Sequence, residues 1–183
     1  VFQMPEIEIR PAKQEDLENL IVLNHNYVSQ YVLQMDMTQE TNLFSVNFRK
    51  VRLPRPMNVA YPRIGDDLIL SWQKANAMFI GFIGEEIISY VTLEEMNASG
   101  IVRVRDLVVK LDKRRLGIAS GILLASEEWA VRRNNQAIIM ELQTKNDPAI
   151  KMATKLGYQF CGYQDQYFPN KDMALFYSKY LHL

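Results

Sequence analysis

The sequence predicts an α/β fold built around one principal core. Runs rich in β-branched residues alternate with stretches whose apolar residues recur at helical spacing. The clearest such pair is Ile101 to Val109, followed by Ile118, Ile122, Leu123, Ser126, Trp129 and Ala130. A chain of 183 residues that is 48% hydrophobic can bury one good core. A single domain over residues 1–183 is therefore expected, with an irregular insert at 32–65.

Ile7 to Arg10 reads as a short strand, and Leu17, Leu20, Ile21, Asn24, Val28 and Tyr31 lie on one face of a helix. The next stretch follows no single period. Leu43 to Leu53 is a candidate extra strand, whereas Pro54, Pro56 and Pro62 make a loop the simplest reading of Leu53 to Arg63. Asp66 to Gln73 reads as a short helix. Ala77 to Ile83 and Ile87 to Leu93 read as a hairpin turning at Gly84-Glu85-Glu86. Ile101 to Val109 is a strand with a phase slip: Val102 and Val104 share one face, but strict alternation puts Leu107 and Val109 on the other. Burial on both faces and a β-bulge near Arg105-Asp106 both account for the slip. A helix from Ile118 and a strand from Ala137 to Thr144 follow.

The junction of strand and helix carries chemistry. A helix start leaves backbone N–H groups unpaired and carries the positive end of the dipole, so it can hold phosphate. Arg114 and Arg115 precede it, Gly117 removes a Cβ from its path, and Leu116, Ile118, Ala119 and Ser120 complete the turn. Neither the glycine spacing of a nucleotide-hydrolase loop nor that of a dinucleotide fingerprint is present.

Arg114-Arg115-Leu116-Gly117-Ile118-Ala119 resembles the Arg/Gln-x-x-Gly-x-Gly/Ala signature of the GNAT superfamily of acyl-CoA-dependent N-acyltransferases. Asn146-Asp147-Pro148-Ala149, followed by Lys155-Leu156-Gly157-Tyr158, resembles that family's second motif. Glu127 to Ala130, Glu141 to Thr144 and Met173 to Tyr177 are similar to stretches of the streptothricin acetyltransferases, which acetylate an amine of a cationic antibiotic. The resemblance implies a GNAT fold: a mixed central sheet of six or seven strands flanked by helices, with a splayed strand pair at the CoA site. It also implies acetyl-CoA as cosubstrate, with Leu107, Val108, Val109, Asn146 and Ala149 joining residues 114–120 in binding it. The bulged strand of the family, whose free backbone groups pair with the pantetheine arm, favours the bulge here.

Composition narrows the partners. Lys plus Arg equals Asp plus Glu at 21 each, which gives no electrostatic footprint for nucleic acid. A lone Cys161 allows no internal disulfide and no CxxC zinc site; it reads as a small core residue, and a reducing compartment is expected. No metal is expected, since His25, read in the first helix, and His182, in the tail, are the only histidines. No stretch is long and apolar enough for a membrane span, and Val1 to Pro5 lacks the features of a signal peptide, so a cytoplasmic location is expected.

Acyl transfer to an amine needs a neutral amine, donors for the developing oxyanion and a route for the thiolate. The resemblance implies direct attack in a ternary complex, with the Val109 N–H as oxyanion donor. Glu141, in mid-strand beside a ligand crevice, is the first candidate base, and burial would raise its pKa toward that task; an orienting or structural carboxylate is the equal alternative. Asp106 is the second candidate, or it satisfies nearby backbone N–H groups. The family's thiolate-protonating tyrosine falls at Ala153 here, leaving Tyr163 and Tyr167 as substitutes that spacing does not separate. Tyr158 reads as packing. The expected acceptor is a small molecule with a primary amine; a protein or peptide acceptor, and a non-catalytic acyl-CoA-binding module, are the alternatives. A cationic acceptor would draw on Asp36, Glu40, Glu94 and Glu95. Asn42 to Arg63, with Phe44, Phe48 and Tyr61, reads as an acceptor wall or as an edge that pairs two protomers in a homodimer.

Overall fold

The computed structural model describes residues 6–96 and 99–181. The expectations for Val1 to Pro5 and His182 lie outside these residues. A seven-stranded mixed sheet forms from β1 (Glu8–Pro11), β4 (Ala77–Ile83), β5 (Glu86–Met96), β6 (Ile101–Val109), β7 (Ala137–Gln143), β8 (Gln159–Gln164) and β9 (Ala174–Tyr180), in the order β1-β4-β5-β6-β7-β9-β8. Its neighbours are antiparallel except β6 and β7, which run parallel around the crossover helix α3 (Ile118–Arg132). Helix α4 (Asp147–Lys155) follows β7 directly.

Burial divides the apolar residues between two faces. Val91, Leu93, Val102, Val104, Ile138 and Met140 meet Ile122, Leu123 and Ala130 of α3, and Ala153 and Tyr158 join this cluster. Burying one such Leu or Ile side chain contributes about 2 kcal/mol. On the other face, Ile80, Tyr90 and Val108 pack with Leu20 of α1 (Leu17–Ile21) and with Leu68 and Trp72 of α2 (Asp66–Gln73). The expected hairpin, the helices at 66–73 and from 118, and the strands at 101–109 and from 137 are all present.

Three expectations need correction. The first helix stops at Ile21 rather than running to Tyr31, so His25 lies in a loop. The insert is not irregular: β2 (Tyr27–Gln39) and β3 (Phe44–Val59) form a long antiparallel ribbon. Its strand runs through Pro54 and Pro56 because the register jumps there, from Tyr31 opposite Arg52 to Ser29 opposite Met57. The prolines thus sit in a bulge that asks no ladder hydrogen bond of them. Leu33 N–H donates to Thr144 O at 2.9 Å, Lys50 pairs with Asp147, and Phe48 rests edge-on against Phe160 and Tyr163. The ribbon is thereby fastened across α4 and β8. Finally, Cys161 is exposed, since it lies on the edge strand β8.

Gly81 faces Ser89 across β4 and β5, and a Cβ at Gly81 would overlap the buried Ser89 Oγ, which has no hydrogen-bond partner. Gly81→Ala should lower stability by about 1–3 kcal/mol in urea unfolding. Adding Ser89→Ala should restore most of that loss.

Candidate active site

The site begins with one extra residue. Thr92 of β5 stands opposite Asp106, yet Leu93 stands opposite Val104, so Arg105 has no partner and β6 is bulged there. The slip returns Leu107 and Val109 to the α3 face and turns Asp106 and Val108 to the opposite one. It also marks where the sheet opens. β6 and β7 are paired from Ile101 with Ala137 only as far as Val104 with Met140, and then part. Arg105 and Glu141 are the first residues past the last rung. A cavity of about 580 Å³ fills this V, with the start of α3 at its wide end. It lies outside the carboxyl ends of a parallel strand pair, where α/β sheets take ligands.

The backbone of β6 offers hydrogen bonds to this cavity. Lys110 N–H donates to Ile88 O at 2.7 Å, so the next pair, Ser89 with Val109, is of the non-bonded kind. The N–H of Val109 therefore points away from β5, toward the gap left by β7, and the same alternation applies to Leu107. Both residues line the cavity, as do Val108, Gly117, Ile118, Ala119, Ser120, Asn146 and Ala149.

At the wide end, Gly117 adopts φ 81° and Arg115 φ 66°, both left-handed. The first helical bond runs from Gly121 N–H to Gly117 O, which leaves the amides of Ile118, Ala119 and Ser120 without intrahelical acceptors. The two arginines divide their labour. Arg114 is half-buried, its Nε donating to Val109 O at 2.9 Å and its Nη2 to Asn24 O at 3.1 Å, and burial lowers its pKa; it braces the turn and also lines the cavity. Arg115 is exposed beside the loop and lines the cavity, whereas Leu116 is exposed and outside its wall. Asn146 caps α4, its Oδ1 accepting from Ala149 N–H.

The vertex of the V holds a charge network that the sequence did not reveal. Asp106 is buried behind the wall, where Tyr61, Arg63, Ser71 and Thr92 donate to its two oxygens at 2.6–3.2 Å. It satisfies side chains rather than backbone N–H groups, and with no place in the wall and four donors upon it, it is not positioned as a base. Arg63, from the linker between β3 and α2, reaches from Asp106 to Glu141 Oε2 (2.6 Å) and lies over the Phe168 ring. Burial works against its cation, but Asp106, Tyr61 and Glu141 outweigh that and hold its pKa above the ordinary value. Glu141 is in the wall and buried, with Arg103 Nε at 3.2 Å and Tyr167 OH at 2.5 Å on Oε1. The carboxylate is thus already met by two guanidinium groups, which the expectation of an isolated buried acid did not include. Nothing in the sequence marks Arg63; only the fold brings it to Glu141.

Other wall residues come from the base of the ribbon. Tyr27 donates to Gln143 Oε1 at 2.7 Å, and burial pushes its phenol well up. Tyr61 and Pro62 line the cavity, while Phe44 is exposed at the ribbon's turn and Phe48 packs on β8, so the wall draws on only a small part of 42–63. His25 also lines it. Its Nδ1 donates to Leu23 O (2.6 Å) and its Nε2 accepts from Tyr90 OH (2.8 Å), the tautomer that the carbonyl requires. Burial lowers its pKa from 6.5. Ala153 is buried in the core. Tyr163 packs against Phe48, and Tyr167, its pKa pushed up to about 12 by burial, stands behind Glu141; the tyrosines that line the cavity are Tyr27 and Tyr61, whose hydroxyls donate to Gln143 and Asp106. Among the described residues no cluster of His, Cys, Asp and Glu has the geometry of a metal site.

Comparison with known proteins bears on this geometry. The model of the acetyltransferase (GNAT) family matches residues 42–158. A streptothricin acetyltransferase of Escherichia coli is 26% identical over 87 residues, 48% of this chain and 49% of that protein. The chain thus spans about half the length of that curated relative. Nourseothricin acetyltransferase superposes with a TM-score of 0.80 at 18% identity, covering 96% of this chain and 99% of that one. A Bacillus anthracis str. Ames protein described as a streptothricin acetyltransferase, solved with acetyl coenzyme A, gives 0.76 at 16% identity over 96% and 100% of the two chains. At these identities the structures establish a common fold.

Two outcomes follow from the vertex. Asp106→Asn should cost about 3 kcal/mol in urea unfolding at neutral pH, because it leaves Arg63 half-compensated in a buried place. For His25 the folded pKa lies below the unfolded one, so the unfolded chain binds more protons between the two. Its contribution is complete above pH 6.5 and is lost as the pH falls toward and through the folded value. A series of unfolding midpoints from pH 8 to 5.5 should fall for the wild type and be flatter for His25→Gln.

Proposed function

The chain belongs to the acetyltransferase (GNAT) family, and from that premise we propose that it moves an acetyl group from acetyl-CoA to a primary amine of a small molecule, by direct attack in a ternary complex. The observation that carries this reading is the opening between β6 and β7 past Val104 and Met140, which frees backbone donors beside an uncapped helix start.

Acetyl-CoA supplies a thioester carbonyl, on which a neutral amine forms a C–N bond as the C–S bond breaks, and the proton shed by the nitrogen ends on the departing thiolate to give the free thiol. The residues fit such a ligand. The amides of Ile118, Ala119 and Ser120, with the Arg115 cation beside them, hold the pyrophosphate. The backbone groups of Leu107 and the N–H of Val109, which β7 no longer pairs, are offered to the pantetheine arm, and Val109 N–H serves as the oxyanion donor. Arg114, which also lines the cavity, fixes the turn. Asn146 and Ala149 line the opposite wall.

Glu141 acts on the amine. Arg63 donates to Oε2 and Tyr167 to Oε1, with the Arg103 cation beside Oε1, and the remaining lone pair on Oε2 can accept an amine N–H. That arrangement suits orienting the nucleophile. The base of the ribbon, with Tyr27, Val28, Tyr61 and Pro62, walls the cavity on the side away from α3. This wall favours a small acceptor over an extended peptide.

Gly117→Asp adds bulk and like charge at the proposed phosphate cradle, and calorimetry should show a loss of CoA affinity of at least about 10-fold. Unchanged affinity would remove the cradle from the ligand site. Glu141→Gln should lower kcat by roughly 10- to 100-fold with CoA affinity nearly intact. A turnover screen over aminated small molecules, Lys-bearing peptides and free-N-terminus peptides tests the acceptor class. Use of peptides alone would replace the small-molecule reading, and CoA binding without any turnover would leave a binding module.

A further inference from the structure

The charges at the vertex of the cavity say what kind of amine belongs there. A polycationic acceptor needs free carboxylates, and the candidates are engaged elsewhere. Asp36 pairs with Arg49 (2.7 Å) on the ribbon, Glu95 with Arg133 (2.7 Å) and Asn135, and Glu94 with Arg105 (2.8 Å). Glu40 lies at the exposed turn of the ribbon, and none of the four lines the cavity. Glu141 is the carboxylate in the wall among the described residues, and Arg63 and Arg103 already answer its charge. His25 adds no anion.

The cations there are less fully used. Arg63 and Arg105 both line the cavity. Arg105 is the bulge residue; its Nη1 reaches Glu94, while its Nε is buried and has no hydrogen-bond partner. Arg63 spends three hydrogen bonds, on Arg105 O, Asp106 and Glu141, out of the five N–H groups a guanidinium carries. Buried donors without acceptors are uncommon, and a guanidinium fork matches the two oxygens of a carboxylate. A second ammonium group would find no free carboxylate beside Arg63 and Arg105 to offset its loss of water, which discriminates against it.

We propose that the acceptor is a small amine that itself carries an acidic group, with the carboxylate received by Arg105 and Arg63 and the amine presented beside Glu141. The proposal deepens the transferase reading given above and rests on it.

Acetyl transfer should be measured on the wild-type protein with amines matched in length: γ-aminobutyrate against n-butylamine, β-alanine against n-propylamine, and spermidine as the polycation. The acid-bearing member of each pair should have a kcat/KM at least about 10-fold higher than its acid-free partner, the range of a charge-assisted hydrogen bond, and should exceed spermidine. Arg105→Gln should collapse that ratio toward one by raising KM for the acid-bearing amine, and Arg105→Lys should retain part of it. A thermal unfolding curve on each variant separates loss of fold from loss of preference. Equal use of the matched pairs, preference for spermidine, or an unchanged ratio in folded Arg105→Gln would each overturn the proposal and leave the transferase standing. Failure of every amine with CoA still bound would overturn the transferase reading and this proposal together.

Discussion

The bulge at Arg105 sets the terms for everything around it. Without the extra residue, β6 would present Leu107 and Val109 to the side of α1 and α2, and would turn the Asp106 carboxylate into the apolar cluster against α3. With it, both core faces stay apolar and Asp106 arrives beneath the cavity, within reach of four donors from two other elements and a linker. Burying a carboxylate there costs several kcal/mol unless its lone pairs are filled. They are filled, and the side chains that fill them are thereby fixed in place.

Arg63 is the main beneficiary. It comes from a linker, where a long side chain would ordinarily be loose, but Asp106 at one end and Glu141 at the other leave it little freedom. The chain of charge from Asp106 through Arg63 and Glu141 to Arg103 alternates in sign. Each member compensates its neighbours, so the vertex of the cavity is a rigid polar surface with little net charge, rather than an acidic well. Rigidity of this kind is what orienting a reactant demands.

The parts legible in the sequence were those governed by local rules. The helix from Ile118, the Gly117 turn and the hairpin at Gly84 each follow from spacing or from a residue with special backbone freedom, whereas the phase slip in β6 needed the family resemblance to favour a bulge over burial on both faces. The ribbon of β2 and β3 was not legible as a whole. Its prolines mimic a loop, and only the register jump opposite Gln30, invisible in one strand alone, shows how a strand accommodates them. Val28 and Tyr31 kept helical spacing with Leu17 by coincidence, and pairing with β3 overrode it. The place of Arg114 beside the helix start was legible, but its hydrogen bond to Val109 O depends on tertiary distance. Arg63 left no trace, since an arginine after a proline is unremarkable until the chain is folded. Glu141 stood out as a mid-strand acid, whereas the partners that define its role come from Arg63, Arg103 and Tyr167, scattered over the sequence.

The short ladder between β6 and β7 also has a mechanical side. Four rungs, Ile101 to Val104 against Ala137 to Met140, join β1, β4, β5 and β6 to β7, β9 and β8 in the sheet plane, with α3 bridging across the seam. The sheet is in effect two panels on a partly sewn hem. A molecule that enters the gap and bonds to both margins closes the hem, and because the unfolded chain has no such gap, occupancy draws the equilibrium toward the folded state. Ligation and cohesion are therefore one event here: the protein is least tightly knit when empty, at the very line along which it takes its ligand.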